Sequence, residues 1–348
     1  MSYQKILILP DAGPENPFQY EMIGFLRSHG FEIFIGKKRK LGSIYEAVNQ
    51  FKPDIIYFDW VHSYIIGRTF SWSLTKSFFF ILEILYLRFL IKIPIIHTLH
   101  NTQNHCGFWL PWERIIYAFF LRKCTKIRVY SETVREEIIN KFRVLSSVIY
   151  VIQDIPYHHY YPNDVSKKES RAYFNINDHD FVFLFFGKIK EYKGLEELIR
   201  AFKKVQKSGN YLFIAGECLD SKYLSKLLKL TNNVPGIIWY NRFISKEEVQ
   251  YFFNAANVIV LPFTRIDHSG SIDLAMSFKK PIITLKTGAT EDLLNHQESL
   301  LFQNSGELKT CMTLAREIDL KEIGINNFKK ADSGNYRDLL ELFQKHNS

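Results

Sequence analysis

One pattern constrains this chain more than any other: short, unbroken apolar runs return along it, parted by stretches with helical spacing. In the first half KILILP (5–10), FEIFIG (31–36), DIIYFD (54–59), PIIHTL (94–99), KIRVYS (126–131) and SVIYVI (147–152) read as strands. In the second half FVFLFFG (181–187), YLFIAG (211–216), GIIWYN (236–241), VIVLPF (258–263) and PIITL (281–285) do the same. Between them SETVREEIINKF (131–142) has a Ser-x-x-Val start and an acidic first turn, and LEELIRAFKKV (195–205) sets Leu195, Leu198, Ile199, Phe202 and Val205 on one helical face. A strand that is apolar on both sides has no face to give to water, so it belongs in a parallel sheet covered by helices above and below. The pattern runs twice. It predicts an α/β chain of two tandem Rossmann-like domains facing a central cleft, with ligand at the carboxyl ends of the strands.

The stretch IQDIPYHHYYPNDVSKKES (152–170) has no clear period and reads as the linker. This sets a first domain at 1–155, a second at 156–335, and a tail, 336–348, whose YRDLLELFQKHN reads as a last helix packing back across the domains. With 348 residues, 47% apolar and 23% charged, the chain is long enough for two cores and too apolar to be disordered. The net charge of +9 is uneven: residues 1–154 carry 19 Lys and Arg against 13 Asp and Glu, the remainder 26 against 23. Such a surplus suits phosphorylated ligands, anionic membranes or nucleic acid. No zinc-finger spacing or RNA-recognition signature is present, so nucleic acid is not an expected partner. Four scattered cysteines without a CxxC pair point to a reduced, cytoplasmic setting and to no metal site. FFFILEILYLRFLI (78–91) is too short to span a bilayer and is interrupted by Glu83 and Arg88. It reads as a core helix, or as one lying peripherally on the inner face of an anionic membrane with Arg68, Lys76, Arg88 and Lys92 beside it.

A different feature points to a small ligand. In VIVLPFTRIDHSGSIDLAMSFKKPIITL (258–285) the residues Ser269-Gly270-Ser271 stand at the mouth of a helix, just past the end of a core strand. Unpaired backbone N–H groups and the helix dipole point outward there and hold anions.

At this point the motifs carry a resemblance. GKIKEYKGLEELIRAF (187–202), IAGE (214–217), SKEEVQYFFNAANVIVLP (245–262), LAMSFKKPIIT (274–284) and TGATEDLL (287–294) resemble, in order, the signature segments of group 1, family 4-like glycosyltransferases with the GT-B fold. IPIIHTLHNTQNH (93–105) and VYSETVREEI (129–138) are similar to the looser upstream segments of that family. The resemblance implies that the anion is the diphosphate of a nucleotide-sugar, held at Gly187, Lys188, Lys193 and the Ser269, Gly270, Ser271 backbone, with Glu291 near the nucleotide. Fixed cations suit this chemistry, because negative charge builds on the departing phosphate as the sugar leaves. His100 matches the family's histidine facing the donor. Asp11, Gly13, Asn16 and His105 are assigned to the acceptor side. The chain departs from the family at its paired glutamates, which align with Ile266 and Leu274. Acids stand one place away, and Asp267 is assigned to the sugar as a second catalytic group, Asp273 to the ribose.

The expectation is therefore a hexosyl or other glycosyltransferase that needs no metal or further cofactor. It would pass sugar from a nucleotide-sugar donor to a glycan or lipid-linked acceptor in cell-surface polysaccharide or glycoconjugate synthesis. A non-catalytic nucleotide-sugar-binding subunit of a glycan-assembly complex is the alternative. A nicotinamide enzyme is disfavoured, since no GxGxxG follows any expected strand.

Overall fold

The computed structural model describes the chain except residues 1–3, 14, 15, 38–40, 105, 106, 267, 268, 334, 335 and 345–348. It divides into two compact units, Met1–Gln153 with Gly334–Ser348, and Asp154–Ser333.

Unit 1 holds six parallel strands: β1 (Gln4–Leu9), β2 (Phe31–Ile35), β3 (Ile55–Phe58), β4 (Ile95–Thr98), β5 (Lys126–Val129) and β6 (Ile149–Val151), in the order β2-β1-β3-β4-β5-β6. The burial explains the parallel arrangement: every residue of β3, β4 and β5 is buried. The sheet reverses direction between β1 and β3, and such a reversal opens a crevice at the strands' carboxyl ends. The helix Tyr336–Phe343 belongs to this unit. Phe343 packs against Phe31 and Tyr57, at 6.3 and 5.4 Å between ring centres. The Lys126 ammonium donates to the Glu341 carbonyl at 2.6 Å and to that of Gln344 at 3.3 Å, covering carbonyls that a helix end leaves unpaired.

Unit 2 holds β7 (Phe181–Phe186), β8 (Asn210–Ala215), β9 (Ile237–Tyr240), β10 (Val258–Leu261), β11 (Ile282–Leu285) and β12 (Leu301–Phe302), also parallel, in the order β12-β11-β10-β7-β8-β9. Counted from its own first strand this is 6-5-4-1-2-3, the doubly wound order, with its switch point between β7 and β10. The helix Leu195–Val205 forms over the expected residues and buries Leu195, Leu198, Ile199 and Phe202.

Two expectations change. The linker 152–170 is partly structured: it holds a 3-10 turn, Tyr157–His159, and the start of the helix Lys167–Tyr173. Ser166 and Glu169 close a capping box there, which gives the helix its start. The apolar segment 78–91 is the end of a longer element, the helix Phe70–Leu85 running into a π-helical stretch, Tyr86–Ile91. It is no simple core helix, because Phe78, Phe79, Leu82, Phe89 and Leu90 are exposed while Phe80, Ile84 and Leu87 are buried.

Candidate functional site

The switch point of unit 2 lies between the loops that leave β7 and β10. β7 runs into Gly187, whose φ of +126° favours glycine. A Cβ there would stand 3.2 Å from Ser271 Oγ and 3.8 Å from Lys193 Nζ, so the two loops converge on this glycine. The 3-10 turn Glu191–Lys193 ends at Gly194, where φ is +69° and a Cβ would lie 1.9 Å from the Pro262 carbonyl oxygen. Only glycine lets the β7 loop lie this close to the exit of β10. Thr264 completes the seam, donating through its N–H (3.0 Å) and its hydroxyl (3.2 Å) to the Tyr192 carbonyl.

This packing buries Lys193 to 8% exposure, with Nζ 4.7 Å from the Phe263 ring centre. Burial, and then the neighbouring Lys190 cation, pull its pKa down to about 8, and among the described residues no carboxylate opposes that shift. A buried ammonium without a counter-ion is costly unless an anion completes it. The helix Gly270–Ser277 begins beside it, with Ser269 in extended backbone accepting from the Ser271 N–H at 3.3 Å. Lysine and helix start together favour one ligand charge, negative.

The other residues expected at the donor fall as follows. Lys188 is exposed. Asp273 is half-buried in the first turn of Gly270–Ser277, and its carbonyl accepts from the Ser277 hydroxyl at 2.8 Å. Glu291 is exposed in the first turn of the helix Gly288–Leu294 and pairs with Lys286 at 3.1 Å, which also meets Glu298 at 2.6 Å. Ile266 and Leu274 are buried apolar side chains. Asp267 and His105 lie outside the described residues.

In unit 1, His100 follows β4 and sits in a cage that sequence reasoning missed. Its Nε2 lies 3.2 Å from Asp59 Oδ1, at the end of β3, and its Nδ1 lies 3.3 Å from the Tyr130 hydroxyl. The ring stacks on Trp60 at 4.6 Å and 15°, and Phe18 meets it edge-on at 4.7 Å. Gln19 Nε2 donates to Asp59 Oδ2 at 2.9 Å, while Gln19 Oε1 accepts from the Ala12 N–H at 2.9 Å, tying the loop after β1 to the same cage. Burial raises the Asp59 pKa to about 7, against the lowering effect of the Gln19 and Tyr57 hydrogen bonds and the Arg128 charge. His97, three residues earlier, is a core residue: it is bonded to the Phe58 carbonyl and Tyr117, and burial drives its pKa down to about 3. The available signal for Asp59 was a carboxylate at the carboxyl end of a strand beside the sheet's reversal.

Asp11, Gly13 and Asn16 shape the loop after β1. Asp11 Oδ1 accepts from the Gly13 N–H at 2.8 Å, and Asn16 caps the helix Pro17–Ser28 by accepting from the Gln19 N–H at 3.0 Å. Gly13 takes a positive φ of +88°.

Family models match both halves. Residues 10–154 match that of Glycosyltransferase Family 4, and residues 166–313 that of Glycosyl transferases group 1. An uncharacterized glycosyltransferase of Methanocaldococcus jannaschii is 23% identical over 222 residues, 61% of this chain; the match spans 56% of that relative. Among solved structures, HepE of Anabaena in complex with UDP-glucose has a TM-score of 0.73 at 13% identity, over 98% of this chain and 100% of that one. Sucrose-phosphate synthase of Thermosynechococcus elongatus has a TM-score of 0.73 at 15% identity, over 99% and 98% of the two chains. Matched through both halves and sharing the two-domain fold of these proteins, the chain belongs to the group 1, family 4-like glycosyltransferases of the GT-B fold.

Proposed function

We propose that this protein transfers a sugar from a nucleotide-sugar donor to a glycan or lipid-linked acceptor, in cell-surface polysaccharide or glycoconjugate synthesis. One observation carries the reading: the buried Lys193 ammonium, beside Gly187 and Ser271 at the switch point of unit 2. When the bond between the anomeric carbon and the phosphate oxygen breaks, its electron pair goes to the diphosphate. Lys193 and the start of Gly270–Ser277 meet that charge where it develops, with no reorganisation at the moment of reaction. Lys188 adds a second, exposed cation, and these groups supply the counter-charge without a metal. Unit 1 receives the acceptor, with His100 as its catalytic group, and Asp267 and Asp273 are assigned to the donor's sugar and ribose. A uridine diphosphate sugar is the first donor to test, since HepE was solved with UDP-glucose and with UDP.

The experiment is mass spectrometry of products after incubation with mixed nucleotide-sugars and a lipid extract, with and without a chelator. Glycosylated product and free nucleoside diphosphate are expected in both. Lys193→Ala should lower turnover by about 2–4 kcal/mol in transition-state terms, the scale of losing one preorganised donor, with the fold unchanged. Normal turnover in a folded variant would end the assignment.

A second reading, a non-catalytic nucleotide-sugar-binding subunit, is favoured by the buried apolar Ile266 and Leu274 at positions where the family resemblance sets carboxylates. It predicts donor binding with no release of nucleoside diphosphate.

A further inference from the structure

The helix Gly270–Ser277, whose start the proposed function gives to the diphosphate, has only eight residues. Two turns are too few to hold together alone, so neighbouring elements have to fix them. One of those neighbours is the 3-10 turn Tyr157–His159, which lies in the stretch that reads from the sequence as a linker.

Tyr157 touches both ends of the helix. Its N–H donates to Ser277 Oγ, at the last residue, at 2.9 Å. Ser277 Oγ donates in turn to the Asp273 carbonyl at 2.8 Å, which ties the contact into the helix backbone. At the first residue the phenol makes the contact. A Cβ on Gly270 would lie 3.3 Å from Tyr157 Oη, and 3.7 and 3.9 Å from the ring carbons Cε2 and Cζ. The two ends stand roughly 10 Å apart at 1.5 Å per residue, so one tyrosine spans the helix. Tyr157 and Ser277 are both buried.

The turn that carries the ring is itself held. The Tyr160 and Tyr161 N–H groups both donate to the Tyr157 carbonyl, at 3.1 Å each. Lys246 Nζ stands 4.2 Å from the Tyr160 ring centre. The Tyr161 ring lies 6.4 Å from that of Phe278, the residue that ends the same helix. Gly270 finds its reason here. It has no positive φ to accommodate, so what its missing side chain allows is the close approach of the phenol. The next residue, Ser271, is the one whose hydroxyl meets Gly187 beside Lys193, so a small shift of the helix start alters the whole anion site.

On the reading of that start as the diphosphate site, we propose that Tyr157 is a positioning residue for the donor. Its ring sets the Gly270 end of the helix so that the N–H groups there face the diphosphate beside Lys193.

The test titrates UDP, GDP, ADP and CDP into the full chain by calorimetry, and carries the tightest binder through the variants. Gly270→Ala sets a methyl group against Tyr157 Oη and should weaken binding by about fivefold, the low end of what overpacking costs. Its Tm should stay near that of the wild type, because alanine is the better helix former. Adding Tyr157→Phe removes the oxygen that the methyl meets and should recover most of the lost affinity. A tyrosine that only filled the core would give no such recovery. Tyr157→Leu should weaken binding by about tenfold or more, as the site loses its alignment. Hydrogen exchange of the same variant without ligand should speed at residues 270–273 and leave β7 and β10 protected. Gly270→Ala whose loss Tyr157→Phe does not relieve would overturn the proposal. So would a Tyr157→Leu variant with normal affinity and normal exchange at 270–273. A wild type that binds none of the four nucleotides would instead end the reading of the site, and failure of that kind shows before any variant is made.

Discussion

In the proposed site, Lys193 sets a trade between stability and ligand binding. Its folded pKa, about 8, lies below the ordinary lysine value of 10.5, so between those values the unfolded chain binds more protons and stability rises with pH. At neutral pH the buried charge costs on the order of 3 kcal/mol, the free-energy equivalent of that shift. Lys193→Met should therefore melt higher than the wild type at pH 7 while losing nucleoside diphosphate binding, read by calorimetry and titration on the same samples. Asp59 works in the opposite sense. Its pKa of about 7 is raised above the usual carboxylate range, so stability falls as pH climbs from about 4 to 7. Asp59→Asn should flatten that slope in a plot of Tm against pH, and should lower turnover by loosening His100. Lys193 was legible in the sequence because its motif holds it at fixed spacing from Gly187. The cage around His100 was not, since Asp59 lies 41 residues away and Gln19 lies on a separate helix.

At the scale of elements, the helix Gly270–Ser277 has a start that serves its fold and, in the proposal, its ligand. Ser269→Ala removes the cap and should cost about 1 kcal/mol, measured by denaturant unfolding. Leu274→Glu tests the register of the same helix. Leu274 is buried, so a carboxylate there should cost about 3–5 kcal/mol, the scale of a buried charge without a partner. A well-folded Leu274→Glu variant with raised turnover would show instead that the position can serve the donor. The alternation of strand and helix was readable because apolar runs of five or six residues have no other economical home. β12 escaped because two residues, Leu301–Phe302, are too few for a pattern. The helix Phe70–Leu85 starts eight residues before the apolar run, where the Thr69 hydroxyl accepts from the Trp72 N–H and fixes the first turn. A composition search sees the run and passes over the cap.

For the whole molecule, the nucleoside diphosphate site in the proposal is built from unit 2 residues. UDP at a hundred times its dissociation constant stabilises the state that binds it by about 2.7 kcal/mol. Scanning calorimetry should then show unit 2 shifting upward, a shift that Lys193→Met abolishes. The helix Tyr336–Phe343 carries a different consequence. It covers Phe31 and Tyr57 of unit 1, yet it is translated after every residue of unit 2. Synthesis thus begins the first unit and finishes it last. A ribosome stalled after residue 333, on a tether long enough to clear the exit tunnel, should display a protease-resistant unit 2 beside a unit 1 that is still cleaved. Extending the same nascent chain through Phe343 should close it.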